Sequence, residues 1–219
     1  MSDTDADLEL GAERAAVRDL GAELLERDLA TGTMGNLSAR RGDRFAVSPS
    51  GTPYEAVTAE GVPVVAMDGA RVAGEAAPSS ETPMHRLVYE GRDDVGGIVH
   101  THSPYASTFA SLRREIPASH YLVGFVGHEI PVAGYERPGS KELGALAAET
   151  MGEDHQAVLL ANHGVLAVGE SLDAAFEVAE TVEYCARIHH QALAVGDPAV
   201  LPEDVVDGLI EKFDSYGQN

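Results

Sequence analysis

The chain predicts an α/β fold: a mixed sheet covered by helices on both faces. Segments with apolar residues at helical spacing alternate along the sequence with short apolar runs of strand character. Several consecutive strand candidates are joined by turns too short for the crossover that a parallel pair requires, so part of the sheet must be antiparallel. At 219 residues the chain fits one domain spanning 1–219 and can bury a core without disulfides. Apolar helix stripes and strand faces then bury each other in layers.

Leu8 to Leu29 carries Val17, Leu20, Leu24 and Leu25 at helical spacing and predicts an opening amphipathic helix, which the Thr31-Gly32-Thr33-Met34-Gly35 cluster stops. Short strands are expected at Asn36 to Ala39, Phe45 to Ser48 and Val62 to Met67, the last turning through Asp68-Gly69 to Arg71-Val72. Ser80 is placed to cap a helix running through Thr82-Pro83 into Met84, Leu87 and Val88. A strand from Val95 to His102 hands over to a helix around Ala106 to Leu112. Strand-like runs follow at Leu122 to Val126 and Ile130 to Val132, and Ser140 can cap a helix to Met151. Strands at Val158 to Ala161 and Val165 to Val168 precede a long helix from Leu172 to about Ala194, and Pro202 opens a last one reaching Phe213.

A formal net charge of -21 argues against general binding of nucleic acid or an anionic membrane, because the long-range field repels phosphates. Any anionic substrate must be held by local donors. Lys141 and Lys212 are the lysines and every other basic residue is an arginine, a pattern that with abundant Asp, Glu, Ala and Val resembles proteins of salt-loving archaea. The single cysteine, Cys185, permits no internal disulfide and suits a reducing compartment. With no leader-like start and no apolar run of bilayer length, a soluble cytoplasmic protein is expected.

The chemistry concentrates at His100-Thr101-His102-Ser103-Pro104. Strand side chains two apart share a face, so the imidazoles of His100 and His102 can converge on one point. His163, after the apolar run Ala157 to Ala161, can supply a third nitrogen. Three histidines with an open position suit catalytic zinc, whereas structural zinc wants four closed ligands. Cupin barrels also use His-x-His but need a glutamate a few residues on, and here Ser103 to Ser107 turn into a helix instead. Glu81 lies in Ser79-Ser80-Glu81 just before a helix, where a carboxylate and hydroxyls can be exposed. Small polar and glycine clusters recur at Thr33-Met34-Gly35-Asn36, Ser48-Pro49-Ser50-Gly51 and Ser79-Ser80. Turn amides and hydroxyls of this kind bind anions without lysine. His85, His120, His128, His155, His189 and His190 match no ligand position and read as surface or capping residues.

Gly35-Asn36-Leu37-Ser38, Ser48 to Tyr54, Ser79-Ser80-Glu81, His100 to Ala106 and Asn162-His163-Gly164 together resemble the zinc-dependent class II aldolases of the fuculose-phosphate aldolase and ribulose-phosphate epimerase superfamily. The resemblance runs from about Leu8 to Tyr216 and is strongest toward the fuculose-phosphate aldolase branch. It implies a three-layer α/β/α fold around a mixed, mainly antiparallel sheet, and a homotetrameric ring with each site at a subunit boundary. It further implies one zinc per subunit on His100, His102 and His163, and a substrate phosphate surrounded by Thr33, Asn36, Ser50, Gly51, Ser79 and Ser80. Glu81 becomes the base, Tyr121 a proton donor reaching into a neighbouring site, and Tyr216 part of a mobile tail near the substrate. The implied reaction is reversible cleavage of a ketose 1-phosphate to dihydroxyacetone phosphate and an aldehyde. A pentulose-phosphate epimerase and a methylthioribulose-phosphate dehydratase share the scaffold, as do non-catalytic interaction domains. The epimerases carry aspartate where this chain has Glu81, and the interaction domains are expected to lack the metal ligands. Pro138 stands where the fuculose-phosphate enzyme has an aromatic residue, which leaves the aldehyde open.

Overall fold

The computed structural model describes residues 10–214. Helix α1 spans Gly11–Glu26, followed by strands β1 (Asn36–Arg41), β2 (Arg44–Val47), β3 (Val64–Ala66) and β4 (Arg71–Ala73). Helix α2 (Thr82–Gly91), strand β5 (Gly97–Thr101) and helix α3 (Pro104–Leu112) come next, then β6 (Ile116–Pro117), β7 (Glu129–Ile130) and β8 (Val132–Ala133). Helix α4 (Lys141–Met151), strands β9 (Ala157–Leu160) and β10 (Gly164–Gly169), and helices α5 (Leu172–Val195) and α6 (Glu203–Asp214) complete the described chain.

Eight strands form one sheet in the order β4-β3-β2-β1-β5-β10-β9-β8, while β6 and β7 pair apart from it. Within the large sheet every pairing among the described residues is antiparallel except β8 with β9, so the sheet is mixed and mainly antiparallel, as expected. Both faces are buried, and strand alternation sorts the side chains between them. Val165 and Ala167 of β10 join Val17, Leu24, Phe109, Phe176 and Val182 from α1, α3 and α5. Leu166 and Val168 face the other way, toward Met84, Val88, Leu143 and Met151 from α2 and α4. The result is helices on both sides of one sheet.

The main differences from the sequence expectation have local causes. Leu122 to Val126 is a 3₁₀ turn over Tyr121–Phe125, not a strand, because the His120 side chain accepts from Leu122 N at its start and α6 closes over it, with Leu209 lying where a side chain on Gly124 would go. A short apolar run does not by its pattern distinguish strand from buried helix. The single strand expected at Ile130 to Val132 is two, because Pro131 has no N–H for a ladder: β7 pairs with β6 and β8 with β9. Ser80 does not cap α2. Glu81 occupies the cap position, and Ser79 Oγ accepts from Glu81 N at 3.2 Å. Ser140 and Ser171 do cap α4 and α5, accepting from Leu143 N and Ala174 N. Strand β5 is shorter than Val95 to His102 at both ends, and Leu8 lies outside the described residues.

Candidate active site

Four segments meet on the sheet face that carries α2. In β1, Asn36 and Ser38 share that face, and Asn36 pairs with His100 of β5. Gly35 enters β1 at φ 75°, and a Cβ there would lie 2.8 Å from the His100 carbonyl oxygen. Only glycine suits both the left-handed backbone and that approach. His102 follows β5 directly, its amide bonded to the Leu29 carbonyl at 3.1 Å. His163 sits in the tight turn between β9 and β10, behind Asn162, which takes the left-handed conformation at φ 55°. A Cβ on Gly164 would meet the Thr101 carbonyl oxygen at 2.2 Å, so glycine lets β10 draw His163 against β5.

The three imidazoles form a near-equilateral set, with ring centroids 4.7, 4.8 and 5.0 Å apart. One ring nitrogen from each lies within 4.8 Å of the others, and His100 Nε2 is 2.9 Å from His102 Nε2. His100 Nδ1 is 2.8 Å from the Val165 carbonyl oxygen, which can only accept, so Nδ1 carries a hydrogen and Nε2 faces the cluster, to bind a metal through its lone pair or, when protonated, to donate to Glu81. Burial pushes the pKa values of His102 and His163 down to about 4, aided by positive charge on His100 and opposed by Glu81. Neutral imidazoles are the form that binds a metal, and lone pairs crowded this closely repel unless a proton or cation lies between them. The donor set therefore fits a divalent metal.

Glu81 closes the cluster from the end of α2. Its Oε2 is 3.2 Å from His100 Nε2 and its Oε1 is 3.5 Å from His163 Nε2. Burial opposes charge on this carboxylate, but the charge of His100 and the hydrogen bonds from His100 and Asn36 prevail and hold its pKa well below the usual range. The carboxylate is buried, at 8% exposure, and not exposed as the sequence suggested.

Three polar loops surround this carboxylate. Ser48 Oγ accepts from Leu37 N at 3.0 Å, Ser79 N donates to the Ser48 carbonyl at 2.9 Å, and Ser50 N donates to the Ala77 carbonyl at 2.8 Å. Tyr54, at the end of the second loop, donates its hydroxyl to the Gly35 carbonyl at 2.9 Å. These bonds bring Thr33, Asn36, Ser50, Gly51, Ser79 and Ser80 into one cavity of about 350 Å³ with Glu81, His102, His163 and Pro138. Among the described residues, no lysine or arginine lines it. A larger cavity of about 700 Å³ lies elsewhere, near Phe125, Ile210 and Phe213, and contains none of the predicted site residues. Its size carries no chemistry.

Tyr121 is not brought to this cavity. It is 52% exposed and stacks on Phe213, with ring centroids 6.3 Å apart. Tyr216 lies outside the described residues. Two histidines read from the sequence as surface or capping residues are buried instead: His189, 2.8 Å from Ser119 Oγ through Nδ1, and His85, with no exposed surface. His85 contacts Asn36 and Ser38, so it belongs to the site's surroundings. Its position four residues after Glu81, on one helix face, was the available signal.

Residues 15–190 match the family described as Class II Aldolase and Adducin N-terminal domain. The 5-deoxy-D-ribulose 1-phosphate aldolase of Bacillus thuringiensis serovar kurstaki is 44% identical over 211 residues, covering 95% of this chain and 99% of that protein. The L-fuculose phosphate aldolase of Escherichia coli K12 is 34% identical over 201 residues, covering 91% and 93%. A solved L-fuculose 1-phosphate aldolase superposes with a TM-score of 0.90 at 41% identity, covering 93% of this chain and 96% of that one. By matches of this extent and identity, the chain is an enzyme of the class II aldolase family.

Proposed function

We propose that this enzyme reversibly cleaves a ketose 1-phosphate to dihydroxyacetone phosphate and a short aldehyde, with zinc held by His100, His102 and His163. The observation that carries the reading is the Glu81 carboxylate set against three imidazoles beside a cavity whose polar lining is hydroxyls, an amide and glycine backbone. When bound, the divalent cation supplies Lewis acidity toward the substrate carbonyl.

In cleavage, Tyr121 of a neighbouring subunit takes the proton of the C4 hydroxyl as the C3–C4 bond breaks, and C4 leaves as the aldehyde carbon. Glu81, which enters this direction protonated while Tyr121 enters as the phenolate, then delivers its proton to C3, completing dihydroxyacetone phosphate, and both groups re-equilibrate with solvent before the next turnover. In synthesis Glu81 removes that proton and Tyr121 protonates the aldehyde oxygen. The phosphate is held by hydroxyls of Thr33, Ser50, Ser79 and Ser80, the Asn36 amide and the Gly51 backbone, which suits a cavity without cationic side chains. The working unit is a homotetramer, and the acidic composition fits a cytoplasm of high salt.

Two relatives act, by their names, on 5-deoxy-D-ribulose 1-phosphate and L-fuculose phosphate, which share a methyl terminus. Met34 and Pro138 give this cavity an apolar edge. We therefore favour a terminally deoxygenated ketose phosphate. The test is release of dihydroxyacetone phosphate from 5-deoxy-D-ribulose, L-fuculose, L-rhamnulose, ribulose and xylulose 1-phosphates. Release is expected, fastest from the methyl-ended substrates. Epimer formation or loss of water without carbon–carbon cleavage overturns the reading in favour of the epimerase or the dehydratase.

A further inference from the structure

Behind Glu81 runs a buried chain of hydrogen bonds whose members beyond Asn36 the proposed reaction does not use. Asn36 Nδ2 donates to Glu81 Oε2 at 2.8 Å, and Asn36 Oδ1 lies 2.5 Å from His85 Nε2. His85 Nδ1 lies 2.7 Å from Ser38 Oγ, which is 2.8 Å from the Tyr89 hydroxyl. His85, Ser38 and Tyr89 have no exposed surface.

The register follows from elementary geometry. His85 and Tyr89 are four apart on α2, a rise of about 6 Å, while Asn36 and Ser38 are two apart on β1, a rise of about 6.6 Å. Helix and strand steps therefore match, and each helix residue meets a strand residue. Hydrogen placement is also determined. Burial pushes the His85 pKa down to about 3, so the ring is neutral, with one donor nitrogen and one acceptor. Were Asn36 turned about, its carbonyl oxygen would face the Glu81 carboxylate and repel it. The anion thus selects the amide orientation, which requires the hydrogen on His85 Nε2 and leaves Nδ1 to accept from the Ser38 hydroxyl. From Ser38 onward every hydrogen then points toward Glu81, while the Tyr89 hydroxyl hydrogen is shared between Ser38 Oγ at 2.8 Å and the Ser38 carbonyl oxygen at 3.1 Å. Aligned bonds of this kind polarise one another in a low-dielectric interior.

We propose that His85 is a positioning residue for the proton-transfer step: acting through Asn36, it ties Oε2 of Glu81 and leaves Oε1 as the oxygen that carries the proton. Oε1 is buried and has no hydrogen-bond partner. Ser38 supports this by holding the imidazole tautomer. The inference rests on the reading of Glu81 as the base, and the assay separates the two.

The experiment measures exchange of the C3 proton of dihydroxyacetone phosphate with deuterated solvent, which isolates the Glu81 step from carbon–carbon cleavage. His85→Leu removes the donor to Asn36 and is expected to lower the exchange kcat about tenfold or more, with KM changed less than about threefold, the scale of losing a hydrogen bond to a charged group. His85→Gln places an amide N–H near the position of Nε2 and should recover most of the rate. A structural role alone lowers stability in both variants without this split or this rescue. Wild-type exchange by folded, metal-loaded His85→Leu overturns the proposal. Where His85→Leu does not fold, Ser38→Ala decides: a drop of about threefold or more supports the relay, and an unchanged rate overturns it. Glu81→Gln is run alongside. If it exchanges at the wild-type rate, the base assignment fails; if it is inactive while His85→Leu is fully active, only the positioning role fails.

Discussion

His163, half-buried, and His85, fully buried, both have depressed pKa values, yet they answer to different demands. His163 turns a ring nitrogen toward His100, His102 and Glu81, so its removal should be read first in metal content. His163→Ala is expected to bind less than about a tenth of the wild-type metal at equal protein concentration, since a three-nitrogen site loses one of its ligands. Metal analysis after dialysis checks this, and full retention would contradict a three-histidine site. His85 instead contributes to acid sensitivity. Its pKa is about 3 in the folded protein against about 6.5 when unfolded, so between these values the unfolded chain binds a proton that the folded chain does not. Stability therefore falls as pH falls through that window, by up to about 1.4 kcal/mol per pH unit from this group, and is unaffected by it above the window. Urea unfolding at pH 7, 6 and 5 should show a shallower loss in His85→Gln than in the wild type; equal slopes would contradict the assignment.

The turn between β9 and β10 shows how an element carries a side chain to its place. Gly164 permits the close approach to Thr101, and any Cβ there must push the two strands apart. Gly164→Ala is expected to destabilise the fold by a few kcal/mol and to loosen metal binding, because β10 retreats and takes His163 with it. The paired readout is thermal unfolding with and without added zinc. A variant with wild-type metal affinity would show that the turn does not set the position of His163. Helix α2 works through its start: with Glu81 at the cap position, the carboxylate is fixed by the first turn of the helix and not by a flexible loop. The sequence placed the helix there correctly from Thr82-Pro83, but assigned the cap to Ser80, because capping propensity is local while the cap chosen depends on which side chain the sheet must receive.

A net charge of -21 on 219 residues means that the folded chain works against its own field. Raising salt from about 0.05 M to about 1 M shortens the screening length from roughly 14 Å to roughly 3 Å, and the melting temperature is expected to rise; a flat or falling response would contradict net repulsion as a destabilising force. The proposed homotetramer predicts complementation. Chains inactivated at Glu81 and chains inactivated at Tyr121, dissociated and reassembled together, should regain part of the activity, because a ring lets one parent supply each residue to a shared site. Exchange of subunits without recovered activity would demote Tyr121 to a packing residue. The layered α/β fold, the long helices and the histidine cluster were legible in the sequence, since period-two and helical apolar patterns, the Ser140 cap and His-x-His spacing are local signals. The convergence of Thr33, Asn36, Ser50, Gly51, Ser79 and Ser80 was legible only through family resemblance, as each alone is a turn. Three features were decided by tertiary contacts: the 3₁₀ turn at Tyr121–Phe125, where α6 overrides strand propensity; the division at Pro131 between two sheets; and the burial of His85. The last had as its only local signature the i, i+4 spacing from Glu81. A histidine's neighbours in sequence do not report that the rise of a helix matches the rise of a strand, and that match is what places His85 behind the carboxylate.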